Sequence, residues 1–295
     1  MDPKRCRRRS PTPIPRWLER QSAPIGVPRF VQEKCREFVT FSDGRAELVD
    51  NVERGLQSLE KNIRRELHVL ELRSGFGETS HRARELGSQA HEFDKRRHPT
   101  ENLNSGLGLF WAGILLLRVV VGGACFVEPE CSCWTFLALS QTRRHEDPRG
   151  DVTREFVVQG NRMADGLCML MRLADGRKVH CVIEQPGDSF NFKYPKVAET
   201  MIELNRKVLA TYLHPFGHEM EKRTLLCVSP DIRSSCIDHL VKPRPKRIAK
   251  SAKFRKKGGK RVTGNEALRS SAHYPTDFCE ASAAVAQECL SLPEA

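Results

Sequence analysis

From His68 onward, short apolar runs alternate with amphipathic stretches, and that alternation admits few folds. HVLEL at 68–72 reads as a strand, RSGFGETS as a glycine turn, and HRARELG as a helix closing on Gly87. SQAHEFD reads as a second strand ending in acids. A polar loop follows, then a helix around 109–121 and the strand ACFVEP. Residues 151–173 carry Val157, Met163, Ala164, Leu167, Leu170 and Met171 at helical spacing. KVHCVIEQP is another strand ending at an acid, and 195–213 another helix. Strands alternating with helices specify an α/β fold with a doubly wound, mostly parallel, Rossmann-like sheet.

In such a sheet ligands gather outside the carboxyl ends of the strands. Those ends carry SGFG, the pair Glu92 and Asp94, PECS, and EQP. Glu71, Gly75, Glu92, Cys131 and Glu184 are therefore expected at one edge.

The charge is unevenly placed. Residues 242–261 hold eleven Lys or Arg and no acid, which is nearly the whole formal charge of +12. A strip of this kind suits a polyanion, because each cation set against a phosphate releases condensed counterions. Lys246, Arg247, Lys253, Arg255, Lys256, Lys257, Lys260 and Arg261 are the candidate nucleic-acid contacts, a solvated tail being the other reading. Residues 1–28, with RCRRR and PTPIPRW, read as a disordered Arg/Pro-rich segment. Residues 29–67 read as an amphipathic helical lead-in through Leu48, Val52, Leu56, Leu59, Ile63 and Leu67. The Rossmann-like domain is expected over 68–235, with 236–295 a basic, largely disordered tail.

Eleven cysteines in a long chain with a polar, Arg-rich start fit reduced thiols and an intracellular setting, the nucleus included. No metal site is expected, since Cys131-Ser132-Cys133 has no second pair at finger spacing. The apolar stretch 107–127 is long enough to attract a membrane reading. Arg118 near its middle and Gly122-Gly123 favour a buried helix and strand instead, with no membrane partner.

VLELRSGFGETSHRARELG resembles the first motif of class I S-adenosylmethionine-dependent methyltransferases, in which an acid and a glycine turn receive the amino-acid portion of the cofactor. The resemblance makes Glu71, Gly75, Gly77, Glu92 and Asp94 candidate cofactor residues, with Glu92 placed to accept from ribose hydroxyls. PECSCWTFLALSQTRRHEDPRG resembles the segment of DNA cytosine-5 methyltransferases that runs from a proline-cysteine nucleophile loop to a downstream DxRG. Cys131 falls on the nucleophile, Trp134 and Thr135 on an aromatic-hydroxyl pair, and Asp147, Arg149 and Gly150 on the DxRG. VIEQP resembles the strand that ends in the family's catalytic glutamate, which puts Glu184 there, and Arg223 in FGHEMEKRTLLCVS is similar to its later arginine. The resemblance covers about 68–230. It implies a thiolate adding to cytosine carbon six, an acid at the ring nitrogen, and methyl transfer to carbon five of a base taken out of the stack.

The chain departs from that pattern. Glu128 and Glu130 flank Pro129, Arg73 replaces an aromatic residue, Gln185 replaces an asparagine, and no target-recognition lobe follows. In these respects, and in KKGGKRVTGNEALRSSAHYPTDF, it is similar to a divergent, expanded algal-protist group that keeps the same core. Neighbouring carboxylates raise a thiol pKa, so Cys131 is expected to titrate near the ordinary value of about 8.5 unless Arg143, Arg144 or Arg149 folds over it. Two functional classes follow: a methyltransferase acting on nucleic-acid cytosine, and an inactive Rossmann-fold module that binds nucleic acid or protein through its basic tail.

Overall fold

A computed structural model describes residues 66–73, 75–135, 143, 146–245, 256–257, 261–262 and 274–291. Along the chain run β1 (Leu67–Leu72), α1 (Glu78–Glu85), β2 (Ala90–Phe93), α2 (Gly106–Leu117), β3 (Val119–Val127), α3 (Glu155–Gly176) and β4 (His180–Pro186). Then come α4 (Pro195–Glu203), β5 (Lys207–Tyr212), β6 (Arg223–Val228), α5 (Ser234–Leu240), the two-residue strands β7 (Lys256–Lys257) and β8 (Arg261–Val262), and α6 (Thr276–Leu290). The main sheet has the order β2-β1-β3-β4-β6-β5. β2, β1, β3 and β4 are parallel, and β6 runs against both β4 and β5. A mostly parallel sheet with one reversed strand slotted between its last two parallel ones is the Rossmann-like arrangement of the class I methyltransferase type.

Both faces are covered, as a parallel sheet requires. On one, Leu70, Leu72, Cys125, Val127, Cys181 and Ile183 pack under Leu115 and Leu116 of α2 and Leu170 and Met171 of α3. On the other, Val69, Phe126, Val182, Leu226 and Val228 meet Ala83 of α1, Cys236 and Leu240 of α5, and Phe278, Ala283, Val285 and Ala286 of α6. Cys125, Cys168 and Cys181 are buried, as their apolar settings predict.

Four readings of the sequence are corrected. The apolar stretch 107–127 is a helix followed by a strand, as expected, but the break comes earlier than 121. Ser105 Oγ accepts from Gly108 N at 2.9 Å to start α2, the helix stops at Leu117, and β3 already begins at Val119. Gly122-Gly123 make a bulge inside that strand, since the register with β1 jumps from Leu67↔Val119 to Val69↔Ala124. A Cβ on Gly123 would stand 2.8 Å from the His68 carbonyl oxygen. Among the described residues no helix is long and apolar enough to cross a membrane.

The helix expected over 195–213 ends at Glu203. Asn205 takes a left-handed φ of 47°, and Arg206 then anchors the turn by donating to the carbonyls of Cys181 (3.1 Å) and Met171 (3.3 Å), so that KVLATY leaves as β5. Third, the stretch 236–295 is no mere tail. α5 reaches into it, and α6 is a core element whose apolar stripe covers the β1/β3 face that short, polar α1 leaves open. Gln287 Nε2 reaches the Leu86 carbonyl at 3.0 Å, and Ser235 Oγ donates to Glu288 at 2.6 Å.

Fourth, Leu67 opens β1 rather than ending a helix. The N-terminal segment 1–28 and the rest of the lead-in, through 65, lie outside the described residues, as do Lys246, Arg247, Lys253, Arg255 and Lys260. Lys256, Lys257 and Arg261 lie on the β7/β8 pair.

Candidate functional site

The chain leaves β1 for the β2 side of the sheet and returns to β3 on the other side, so the strand order reverses between β1 and β3. A crevice opens at such a switch point. Glu71 pairs in register with Glu92 across β1/β2 and with Phe126 across β1/β3, while Val127 pairs with Ile183 across β3/β4. Glu71, Glu128 and Glu184 therefore project from one face at the carboxyl edge. The turn with Gly75 and Gly77, Glu92 and the Cys131 loop lie at that same edge.

The β1–α1 turn is held in a left-handed conformation, with φ of 62° at Arg73, 56° at Gly75 and 71° at Gly77. Most of the expected cofactor residues build this turn. Glu71, fully buried, accepts from Ser80 N at 2.7 Å and so closes the N-terminus of α1. Asp94 accepts from Gly75 N at 3.1 Å and Arg96 N at 2.8 Å. Glu92 alone lies across the turn, where a Cβ on Gly77 would stand 2.5 Å from its Cγ. Burial works to raise the Glu92 pKa, but Arg84 and Arg97 on its two carboxylate oxygens hold it below the ordinary range. An ionised carboxylate beside a turn that has no side chains at its glycines fits the ribose and amino-acid parts of S-adenosylmethionine.

The second wall is the Cys131 loop. Gln185, fully buried, donates to the Pro129 carbonyl at 2.9 Å and accepts from Ser189 Oγ at 2.6 Å, which straps the loop to β4. Arg73 is drawn to Glu130 at 2.6 Å, and Lys95 and Ser132 join it. Burial works to raise the Glu130 pKa, yet these partners hold it low, so the flanking acid is neutralised by pairing. Trp134 is fully buried, edge-on to Tyr194 at 5.5 Å.

Arg143 does not reach Cys131. Its guanidinium lies 3.5 Å from the Trp134 ring centroid and donates to the carbonyls of Cys133 (2.8 Å), Pro148 (2.6 Å) and Arg149 (3.0 Å), so it fastens the DxRG turn to the cysteine loop. Arg149 is exposed, and Arg144 lies outside the described residues. The cation that eases the Cys131, Glu128 and Glu184 pKa values is Lys222, one residue before the expected Arg223. Arg223 sits at the same edge, but its guanidinium donates to the Gly187 carbonyl at 3.3 Å.

The electrostatics follow from this crowding. Burial pushes Glu71 up to about 7, with the charge of Glu92 adding to it. Glu128 is raised well above the ordinary range by burial and by Glu71 and Glu184. Glu184 is raised by burial, against Lys222 and the Tyr274 hydroxyl. Burial and then Glu184 push the Cys131 thiol up to about 11, above the ordinary titration expected from sequence. Two buried polar atoms here lack a hydrogen-bond partner among the described residues, Oε1 of Glu184 and Oγ1 of Thr224, which is how a site for a ligand with its own donors and acceptors looks. Lys222, Thr224 and Tyr274 escaped the sequence reading. The signals that could have found them were the alternation in RTLLCV and a Tyr-Pro pair heading a helical pattern.

No family model matches the chain, and no curated protein does. Among solved structures it is similar to the Entamoeba histolytica methyltransferase EhMeth, at 14% identity and a TM-score of 0.34, over 56% of this chain and 53% of that one. It is also similar to the S. pombe Dnmt2 methyltransferase, at 13% identity and a TM-score of 0.31, over 61% of each chain. The chain thus spans between half and two thirds of the length of these two structures.

Proposed function

We propose that the chain binds S-adenosylmethionine at the β1–α1 turn and is a cytosine-5 methyltransferase-like protein acting slowly on nucleic acid. The observation that carries this reading is the meeting of Cys131, Glu184 and the glycine turn at one sheet edge, with Glu184 buried and its Oε1 unpartnered among the described residues. The cofactor would supply an electrophilic methyl group. Glu184, whose burial raises its affinity for a proton, is suited to share a proton with the ring nitrogen of a base lodged against it. Cys131 must lose its proton before its sulfur bonds the ring carbon, and Lys222 is the charge that eases this.

A thiol titrating near 11 is ionised in only about one molecule in ten thousand at pH 7. That supports slow turnover, and it is also the observation that favours a second reading, an inactive module that binds nucleic acid through its basic strip. Calorimetry with the demethylated cofactor product tests the site without a substrate, and micromolar binding is expected. No binding at millimolar product would overturn both the enzyme and the cofactor site. A covalent complex with DNA carrying a mechanism-based cytosine analogue, absent in Cys131→Ser, decides for the enzyme. If only the module is real, deleting 242–261 reduces the salt slope of DNA binding by about 0.9 for each phosphate that the strip had neutralised.

A further inference from the structure

The Tyr274 ring stands just ahead of α6, beside Lys222 at the entry to β6. Two neighbours hold it in place. It stacks on Phe278 at 5.5 Å between centroids and 26° between planes, Phe278 in turn meets Phe216 edge-on at 5.3 Å, and the Lys222 ammonium lies 4.9 Å from the Tyr274 centroid. It packs on the sheet face that carries Val182 and, two residues along β4, Glu184, so its hydroxyl is set against the Glu184 carboxyl. Glu184 otherwise has few partners. Its Oε1 accepts nothing from the described residues, and the nearby Thr224 Oγ1, on the same sheet face two residues along β6 from the Glu184 partner Leu226, is also unpartnered among them.

We propose that Tyr274 is a positioning residue: held by Phe278 and Lys222, it presents its hydroxyl to the Glu184 carboxyl, fixes that side chain at the pocket floor and leaves Oε1 turned to the incoming ligand. This assigns the last helix a part in the site as well as in the core. The proposal goes beyond the proposed transferase chemistry, and it rests only on the placement of Glu184. The groups around that carboxyl are Glu71 from β1, Glu128 and Cys131 after β3, Lys222 and Thr224 at β6, and Cys279 in the first turn of α6. A phenol that donates to a carboxylate favours the charged form. Losing the hydroxyl therefore moves the Glu184 titration upward, which loss of packing at the far side of the ring would not do.

The test is a carbon-13 titration of glutamate side chains in the full chain, with Glu184→Gln identifying the resonance. Tyr274→Phe keeps the ring, and the Glu184 midpoint is expected to rise by half a pH unit or more while the Glu92 midpoint stays in place. An unchanged Glu184 midpoint in a folded Tyr274→Phe protein would overturn the proposal. Should that variant fail to fold, incorporating 3-fluorotyrosine keeps the hydroxyl and makes it a stronger donor. The midpoint must then fall, and no change counts against Tyr274. No cofactor is needed, so failure to bind the cofactor product and failure of this proposal are read separately. If Tyr274→Phe abolishes product binding yet leaves Glu184 unmoved, Tyr274 serves the cofactor alone and the positioning role is refuted.

Discussion

Replacing Gly77 with alanine tests the turn on which any cofactor site here depends, and Gly87 provides the control. Both residues have positive φ, 71° and 86°, so an alanine at either carries the left-handed penalty of about 1–2 kcal/mol. Part of this, about 0.4–1 kcal/mol, is offset by the lower entropy of the unfolded chain. At Gly87 the new methyl group meets nothing within 4 Å. At Gly77 it would lie 2.5 Å from Cγ and 3.3 Å from Cβ of Glu92, a side chain that cannot swing aside without leaving Arg84 and Arg97. Overpacking of this kind costs a further 1–3 kcal/mol, roughly. Gly87→Ala is expected to lose about 1 kcal/mol and Gly77→Ala about 2–4 kcal/mol in urea unfolding at unchanged slope. The cofactor product should bind normally to the first variant and at least tenfold more weakly to the second. Equal stability losses in the two variants would refute the placement of Glu92 across the turn.

Other consequences follow from the same site. Glu71 binds a proton more tightly folded, near 7, than unfolded, near 4.5, so its contribution to stability falls as pH rises through that window and is level above it; Glu71→Gln should make the slope in urea titrations at pH 4.5 to 7.5 shallower, Glu128 and Glu184 supplying the rest. Alkylation of Cys131 should still be accelerating at pH 9.5, and Glu184→Gln should shift the profile to lower pH; a plateau by pH 9 in the parent chain would contradict the burial and charge assigned to it. Arg143→Met strands the carbonyls of Cys133, Pro148 and Arg149 and should cost about 3 kcal/mol or more, measured by denaturant unfolding, and Arg143→Lys should not rescue it, because an ammonium cannot span them all.

The strands that end in chemistry were legible from sequence because burial on both faces writes a parallel strand as a mostly apolar run, and HVLEL, ACFV and VHCVI are such runs, broken only by His68, Glu71 and His180. β5 was missed because it alternates weakly and follows α4 with only a left-handed Asn205 to mark the break. α6 was missed for a different reason: TDFCEASAAVAQECL is built largely from alanine, serine and interspersed acids, so its apolar stripe is faint in sequence, and packing against β1 and β3 is what gives Ala283, Val285 and Ala286 a role. The expected acids did gather at one edge. Their division of labour was not legible, because whether Glu71 and Asp94 face a ligand or their own loop depends on which backbone N–H groups the turn presents. Lys222 rather than Arg223 faces the thiol because of the pitch of one strand entry, which no spacing reveals.

The docking of α6 also sets an order of events in folding. Gln287 meets Leu86 across 201 residues of sequence, so the helix that completes the β1/β3 face is the last of the described helices to leave the ribosome. Until it docks, Val69, Ala124 and Phe126 face solvent, and the pocket edge has no Tyr274 above it. Closing so long a loop is entropically slow relative to forming the local βα units. Nascent chains that have passed β6 but not Leu290 should therefore hold a sheet with one greasy face bare. They are the species in which aggregation, or capture by a chaperone, competes with completion of the domain.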